Sequence, residues 1–499
     1  MHPRRSFLLF CLLAQSIHSV QAAPTPFHRA EAARLAEQPY VPGWIPPTEF
    51  TKALTYDQMR GIRIKRQGWL FSDSQVQVEP LLAGSFNSKG LQLGLLEGDQ
   101  IQPVPFVASL FQFPEGMATP ADSDLSGFKG FRVHGPSRTG GGSYEQFSFG
   151  GASYFRSHPQ NFGYGLSARG LLLRRDGKEE FPMFERFVFE KPEPQSSVLV
   201  WHALLNSPSA TGAFRFTSRP GNPHVMEIQA DLFPRTGITW NDVSPGFAGF
   251  SSMYWFSPAD ARRTADFRGR VHDSEALAID SGEGGRLWRV LGNPAKIRNT
   301  AFPVHGLKGF GLVQRGRSFD AYQDETAHYE RRTSAWVEPQ QGMTDGEVKL
   351  LELPTRGEYD DNVAASFSPA LPAGSREPLH ISYRLLWCED APAVEGPQVV
   401  QTRIGQLPDK SGITLLTVDF ATPIPAAKLA PQLELPDSVE QRFAYLKPLP
   451  DGKTVRLHLG VVPKPGDATG TFRARLSQDG KATGETWVYP WTGPATGAP

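Results

Sequence analysis

The feature that most constrains the fold is the repeated interruption of short apolar segments by residues that form turns. The chain has 49 glycines and 44 prolines, and these residues favour turns because glycine tolerates a left-handed backbone and proline fixes φ. The segments between them are about four to nine residues long, as β-strands are. One of them, 76–79, alternates apolar and polar residues, whereas 198–201 is continuously apolar. The pattern predicts an all-β sandwich.

Composition excludes several classes of protein. Fifty-one basic residues balance 51 acidic residues, so the chain lacks the basic excess typical of nucleic-acid binding, and no nucleic-acid partner is predicted. Hydrophobic residues make up 39% of the chain and aromatic residues 11%. This is enough to bury a core and excludes an intrinsically disordered chain.

The N-terminus has the features of a signal peptide. Arg4 and Arg5 precede a short apolar run at 7–14, and Val-Gln-Ala at 20–22 places small residues where a signal peptidase cleaves. The run is too short for a membrane-spanning helix, so export is predicted. The paired arginines fit both a twin-arginine signal and a basic Sec signal, and the sequence leaves the two routes open. After cleavage only Cys388 remains, so no intramolecular disulfide can form.

A length of 499 residues predicts two domains, and a boundary is visible after Trp387. Residues 389–397 are acidic and rich in proline and glycine, which is typical of a linker, and short strand-like segments resume beyond them. A Ser-Gln-Asp-Gly turn at 477–480 predicts a hairpin, and the spacing fits a small immunoglobulin-like sandwich. The predicted organisation is a signal peptide at 1–22, a large β-sandwich domain at 23–388, a linker at 389–397 and an immunoglobulin-like domain at 398–499.

Several kinds of active site are excluded by missing motifs. The chain has no dinucleotide-binding Gly-x-Gly-x-x-Gly, no phosphate-binding Gly-x-x-x-x-Gly-Lys-Ser/Thr and no His-Glu-x-x-His; no metal or cofactor is predicted. What remains is the stretch 251–367, dense in acids, arginines and aromatics. Aromatic faces stack on sugar rings, charged groups bond sugar hydroxyls, and paired carboxyl groups cleave glycosidic bonds. The alternative, which spacing alone favours, is that the acids lie on solvated loops and the aromatics fill the core.

Eight short blocks of sequence, spread over most of the predicted large domain, form a more specific pattern. They are Gly-Ala-Ser-Tyr-Phe-Arg at 151–156, Tyr-Gly-Leu-Ser-Ala-Arg-Gly at 164–170, Glu-Glu-Phe-Pro at 179–182, Val-His-Asp-Ser at 271–274, Lys-Gly-Phe-Gly-Leu-Val-Gln-Arg at 308–315, Tyr-Gln-Asp at 322–324, Trp-Val-Glu-Pro at 336–339 and Asp-Asn at 361–362. In this order they resemble the osmoregulated periplasmic glucan biosynthesis proteins of the G and D types.

The resemblance implies a large galactose mutarotase-like β-sandwich followed by an immunoglobulin-like domain, and a location in the periplasm. It also implies an inverting endo-β-1,2-glucanase, a glycoside hydrolase that binds β-1,2-linked glucose chains during the making or trimming of periplasmic glucans. One alternative stays open. The protein could be a non-catalytic β-glucan-binding or assembly factor that works with a membrane glucan synthase.

The same resemblance implies roles for individual residues. Asp361 is expected to be the general acid, and Asp273 the general base, which acts on water through ordered waters and a substrate hydroxyl. Local alternatives remain, since Asp361 could bond its own backbone in a turn and Asp273 could cap a turn with Ser274. Substrate contacts are expected from six side chains, although the aromatic ones are also core candidates and the arginine a candidate for a structural ion pair: Glu358, Trp255, Trp288, Arg317, Tyr322 and Trp336.

The chain departs from the family pattern at three places. Gly-Met-Thr-Asp-Gly at 342–346 stands where the family carries a Trp-Gly pair, Arg-Thr-Ser at 332–334 replaces Arg-Pro-Ser, and Val-Ala-Ala-Ser-Phe at 363–367 replaces an apolar run that ends in Trp. These positions are close in sequence to Asp361, which predicts altered subsites or linkage preference. Both carboxylates are retained.

Overall fold

The computed structural model describes residues 26–84, 89–137, 140–260, 265–282, 285–409, 412–466 and 469–493. The predicted signal peptide, 1–22, lies outside the described residues. In the part of the chain that the structure describes, no helix has the length and apolar character needed to cross a bilayer.

The all-β fold predicted from the sequence is confirmed, since strands are by far the main regular structure of the described residues. Helices are few and short: α1 (Arg29–Ala36), α2 (Glu49–Ala53), α3 (Tyr56–Gly61), α4 (Trp240–Val243) and α5 (Phe319–Tyr322). The strands of the first half are β1 (Arg63–Ile64), β2 (Gln77–Leu82), β3 (Gln92–Glu97), β4 (Gln100–Pro103), β5 (Phe111–Gln112), β6 (Phe128–Pro136), β7 (Ser143–Gly150), β8 (Tyr154–Ser157), β9 (Ser167–Arg169), β10 (Leu173–Arg175), β11 (Lys178–Glu180), β12 (Met183–Glu190), β13 (Leu199–Asn206), β14 (Ala210–Arg219), β15 (His224–Pro234), β16 (Phe247–Ser252) and β17 (Tyr254–Phe256).

The strands of the second half extend to the end of the described chain. They are β18 (Val271–His272), β19 (Ala276–Asp280), β20 (Arg286–Val290), β21 (Arg298–Val304), β22 (Gly309–Val313), β23 (Ser334–Gln341), β24 (Gly346–Glu352), β25 (Val363–Pro369), β26 (Leu379–Cys388), β27 (Gln398–Gln406), β28 (Thr414–Ala421), β29 (Leu429–Glu434), β30 (Val439–Pro448), β31 (Thr454–Pro463), β32 (Gly470–Gln478) and β33 (Lys481–Trp491).

Two large sheets pack face to face and enclose the main core. One has nine strands in the order β2-β6-β7-β8-β9-β16-β25-β24-β21, and the other has fourteen, β29-β32-β33-β20-β19-β22-β23-β26-β15-β14-β13-β12-β3-β4. Phe131 and Phe149 of the first sheet meet Phe187 and Trp201 of the second, with ring centroids 5.1 Å apart for Phe131–Phe187 and 5.4 Å for Phe149–Trp201. Each buried ring contributes about 1.5–3 kcal/mol, so alternating aromatics on the inner faces hold the sandwich together.

A helix covers part of the outer side of the larger sheet, beyond the continuously apolar segment at 198–201, in which Leu199 and Trp201 are buried and Val198 and Val200 only partly buried. Ala32 and Ala36 of α1 pack on Leu204, Ala213 and Phe233 of strands β13 to β15. These strands are therefore covered on both faces, by the core on one side and by α1 on the other. A strand covered on both faces loses the apolar–polar alternation of a half-exposed strand.

The C-terminal strands continue the larger sheet and also form a second, smaller sheet. Strand β33 pairs in parallel with β20, with Trp487 opposite Trp288, and so joins β29 and β32 to the fourteen-stranded sheet. The other four strands form a separate sheet in the order β27-β28-β31-β30. Leu416 and Leu457 of this sheet share one core with Trp288 and Trp487.

A buried network of ion pairs also connects the C-terminal strands to the rest of the protein. The Arg315 guanidinium lies over the Trp288 ring at 3.9 Å, 2.8 Å from Asp390 Oδ2 and 2.9 Å from Glu485 Oε2. The Glu485 side chain is fully buried and also accepts a hydrogen bond from the Val399 N–H at 2.8 Å. Chain segments on both sides of the predicted linker thus meet at one arginine.

Replacement of Glu485 by Gln should lower the free energy of unfolding by about 3 kcal/mol, because it leaves a buried arginine short of a charged partner. Urea unfolding of the two proteins measures the difference. The control is Glu434→Gln, whose side chain is largely exposed and lies 3.9 Å from Arg473, and whose effect should stay below about 1 kcal/mol. Equal losses in the two variants would show that the network adds nothing to stability.

Candidate functional site

Asp361 is presented by a loop that the following residue fastens to the sheet. The loop connects β24 to β25, and Asn362, which is buried, accepts a hydrogen bond from the Tyr254 N–H at 2.8 Å and donates one to the Leu353 carbonyl at 3.0 Å. The Leu353 N–H in turn donates to the Asn362 carbonyl at 2.8 Å. The amide side chain therefore closes the loop and ties it to β17, which explains why an asparagine follows the aspartate.

The Asp361 carboxyl is open to solvent on one side and surrounded by charged groups on the others. Desolvation by the surrounding protein raises its pKa; Arg156 and Arg169 oppose this, and the neighbouring Asp360 adds to it. Arg169 is held in place by a hydrogen bond from its Nε to Ser251 Oγ at 2.8 Å and by an ion pair with Glu179. The result is an accessible carboxyl whose proton is held more tightly than in water.

Asp273 lies at the end of β18 and is nearly enclosed, with 8% of the residue exposed. Its N–H donates to the Met253 carbonyl at 2.9 Å. Its Oδ1 lies 3.2 Å from Arg332 Nε, but the two atoms are not aligned for a hydrogen bond. Desolvation raises the pKa of Asp273 to about 6; Arg332 and Arg156 lower it and the Asp361 charge raises it. Asp273, Asp361 and Arg156 therefore act on one another in a single site.

His272 supports this site without titrating near neutral pH. It is fully buried, its ring stacks on Tyr254 with centroids 5.4 Å apart, and its Nδ1 lies 3.1 Å from Gln314 Oε1. Burial lowers the pKa of His272 to about 3, with a contribution from Arg270. The imidazole is therefore neutral near pH 7. Its contacts with Tyr254 and Gln314 hold the residue next to Asp273 in place.

Glu358 is engaged by two protein groups. Its Oε2 accepts hydrogen bonds from Arg268 Nη1 at 2.8 Å and from the Tyr329 hydroxyl at 2.9 Å. Arg268 also binds Asp266 at 2.8 Å and Asp324 at 2.5 Å. Desolvation is the largest cause that raises the pKa of Tyr329, and the hydrogen bond to Glu358 is the next. The charge of Asp273 raises this pKa further. Glu358 thus belongs to the same charged cluster as Asp273, through Tyr329.

The other predicted contacts lie mostly in packed regions. Trp288, Tyr322 and Trp336 are buried; Trp288 lies under Arg315 and Trp336 under Arg286, so none of the three offers a free ring face in this structure. Trp255 is half-buried and packs beside Phe256. The Arg317 guanidinium is occupied by backbone carbonyls, among them those of Glu330 at 3.1 Å and Arg332 at 2.8 Å.

Comparison with known proteins identifies the family. The model of the periplasmic glucan biosynthesis protein family, MdoG, matches residues 28–491. The chain belongs to the MdoG family. It is 36% identical to the glucans biosynthesis protein G of Bradyrhizobium diazoefficiens over 492 residues, which cover 96% of this chain and 95% of that protein. It is 35% identical to the protein of the same name from Shewanella frigidimarina over 474 residues, 92% of this chain and 83% of that protein.

Four residues of this MdoG-family site were not given a role there by the sequence: Arg156, Arg169, Tyr329 and Arg332. Two of them end or nearly end blocks that carried the resemblance, at 151–156 and 164–170. A positive charge at the same place in two blocks was the available signal. The sequence did not show that both charges would lie near Asp361. Strands β8 and β9 are far from the Asp361 loop along the chain, and local sequence patterns do not extend over that distance.

The most marked departure from the MdoG-family pattern lies away from the acids. The turn at 342–346 joins β23 to β24, where Gly346 pairs with Pro369, while Glu352 at the other end of β24 pairs with Val363 next to the Asp361 loop. The strand has seven residues, so the turn and the loop are about 20 Å apart. Met343 of the turn is buried in the main core. Proximity in sequence therefore did not imply proximity to the acid.

Proposed function

We propose that this member of the periplasmic glucan biosynthesis family is an inverting endo-β-1,2-glucanase, with Asp361 as general acid and Asp273 as general base. The observation that carries the proposal is the pairing of two desolvated carboxyls in one charged site, one open to solvent and one enclosed. Inverting glycosidases need an acid at the leaving oxygen and a base that activates water on the opposite face of the sugar ring.

The difference in exposure between the two carboxyls supports this division of roles. Asp361 can contact a sugar directly, so it can protonate the oxygen of the scissile bond. Asp273 is too enclosed to touch an anomeric carbon, and it can reach a nucleophilic water only through an intermediate oxygen, such as that of a second water or a sugar hydroxyl. A base that never touches the sugar forms no covalent intermediate, which corresponds to inversion.

Arginines favour the ionised form of both carboxyls, and Arg169 acts on Asp361 together with Arg156. Arg156 lowers the pKa of both aspartates and Arg332 lowers that of Asp273. With a pKa of about 6, Asp273 is mostly ionised at pH 7 and able to accept a proton. A positive charge beside the site also favours the electron-rich oxygens of a sugar chain.

The location and partners follow from the same proposal. The predicted signal peptide would deliver the protein to the periplasm, where its substrate would be a β-1,2-linked glucan made by a membrane synthase. A second candidate function is that of a non-catalytic glucan-binding or assembly factor for that synthase. The name of the relatives, glucans biosynthesis protein G, favours it, since this name describes synthesis rather than cleavage.

The deciding experiment incubates the purified mature protein with linear β-1,2-glucan and follows new reducing ends and their anomeric configuration. The proposal expects steady release of short glucans with inverted configuration at the new ends. Retained configuration would contradict the roles of the two aspartates. Binding of the glucan without any new reducing end over a long incubation would contradict the hydrolase and support the assembly factor.

A further inference from the structure

We propose that Phe267 and Tyr359 form a pair of glucose-stacking platforms beside the Asp361 site. The inference deepens the proposed function and rests on it, because the ligand is the β-glucan that the site would cleave. Neither ring belongs to the blocks that carried the family resemblance, and neither was predicted from the sequence to contact substrate.

Exposure is the first observation. Tyr359 is 93% exposed and Phe267 is 84% exposed, the two highest values among the large hydrophobic residues in the described ranges. An exposed aromatic ring presents apolar surface to water, which is unfavourable. A ligand that covers the ring removes this surface from water, and this favours binding. Tyr359 is two residues from Asp361 in the loop between β24 and β25, so a ligand bound at Asp361 lies within reach of it.

A salt bridge joins the two rings' loops at the adjacent residues. Arg268, next to Phe267, pairs at 2.8 Å with Glu358, next to Tyr359. Arg268 is further held by Asp266 and Asp324, and Glu358 by Tyr329. The backbone beside each ring is therefore fixed although the ring itself is free. Because the backbone next to each ring is already held in place, less conformational entropy is lost when a ligand stacks on the ring.

The chemistry of the surroundings indicates a sugar rather than another apolar surface. All the ring substituents of β-glucopyranose are equatorial, so both faces of the ring carry only C–H groups, which pack on aromatic rings, while the hydroxyls point outward to polar partners. Next to Tyr359 lie the exposed carboxyls of Asp360 and Asp361, with Arg156 close to the latter. An aromatic ring beside charged hydrogen-bonding groups matches a sugar, whereas a protein partner would leave these charges desolvated.

The test measures the affinity of the full-length mature protein for linear β-1,2-glucan of defined length by calorimetry, in an Asp361→Asn background that prevents cleavage. Tyr359→Ala and Phe267→Ala should each weaken binding about three- to tenfold, the range of one aromatic contact. Tyr359→Phe and Phe267→Tyr keep the ring and should restore the affinity. Tyr445→Ala, which removes an exposed tyrosine from the four-stranded C-terminal sheet, is the matched control and should bind as the parent does.

Each other outcome contradicts the platforms in a recognisable way. Unchanged affinity in the two alanine variants, with normal binding by the parent, overturns the platforms and leaves the proposed function intact. If the affinity is unchanged but sedimentation shows that the alanine variants have a different oligomeric state, the rings lie at an interface between copies of the chain. If neither the wild type nor the Asp361→Asn parent binds the glucan, the proposed function and the platforms fail together.

Discussion

Replacement of Asp361 by Asn should reduce the release of reducing ends from linear β-1,2-glucan by about a thousandfold or more, because an amide cannot protonate the leaving oxygen. The substitution keeps the shape of the side chain and leaves Asn362 free to close the loop on Tyr254 and Leu353. Far-ultraviolet circular dichroism and the free energy of unfolding should therefore match those of the wild type. The rate is measured from initial velocities at saturating glucan.

The matched control is Asp360→Asn, which alters the adjacent exposed carboxyl. This variant should keep most of the activity. Because the Asp360 charge helps to raise the pKa of Asp361, its removal should move the alkaline limb of the pH–rate profile to lower pH. Equal activity of wild type and Asp361→Asn would refute the role of the acid, and loss of activity in both variants would point to the loop rather than to one carboxyl.

Replacement of Asp273 by Asn should cause a second loss of comparable size, about a hundred- to ten-thousandfold, because the water then has no base. In the wild type the base must be ionised, so kcat/KM should decrease as the pH falls below the Asp273 pKa of about 6, which gives the profile its acid limb. The residual activity of the variant should lack this acid limb. A profile with the same limb in the variant would show that another group titrates there.

A stability measurement gives an independent check on Asp273. Its folded-state pKa lies above the usual value of 3.8, so between these values the folded protein binds more protons than the unfolded chain. The contribution of Asp273 to wild-type stability should therefore fall as the pH rises from 4 to 7, and Asp273→Asn lacks this contribution. The difference in free energy of unfolding between variant and wild type should grow by about 2 kcal/mol over this range. A constant difference would contradict the raised pKa.

Much of the fold was predictable because it depends on local patterns. Turn residues at short intervals and strand-length apolar segments predict an all-β chain whatever the tertiary arrangement. The family blocks then predicted Asp361 and Asp273, and the structure brings these two residues into one site. The need for Asn362 beside Asp361 was not visible in the sequence, since the hydrogen bond that it accepts from Tyr254 of β17 spans more than a hundred positions.

The candidate substrate contacts were less predictable because ring exposure depends on distant packing. Trp288 is covered by Arg315, and its strand lies beside β33 near the end of the described chain. Tyr359 and Phe267, by contrast, are exposed in the structure, although no sequence periodicity distinguishes them from aromatic residues of the core. The ion pair between Arg268 and Glu358 spans 90 positions of sequence, and only the folded chain shows that these loops meet.

The parallel pairing of β33 with β20 has a consequence for how the protein can be divided. A chain truncated after β26 would lose β33 and expose the backbone hydrogen-bonding groups of β20, a strand edge open to pairing with other chains. It would also uncover Trp288 and leave Arg315 without Glu485. A shortened protein that aggregates would therefore say nothing about catalysis, and the C-terminal region is better studied by point substitutions within the intact chain than by deletion.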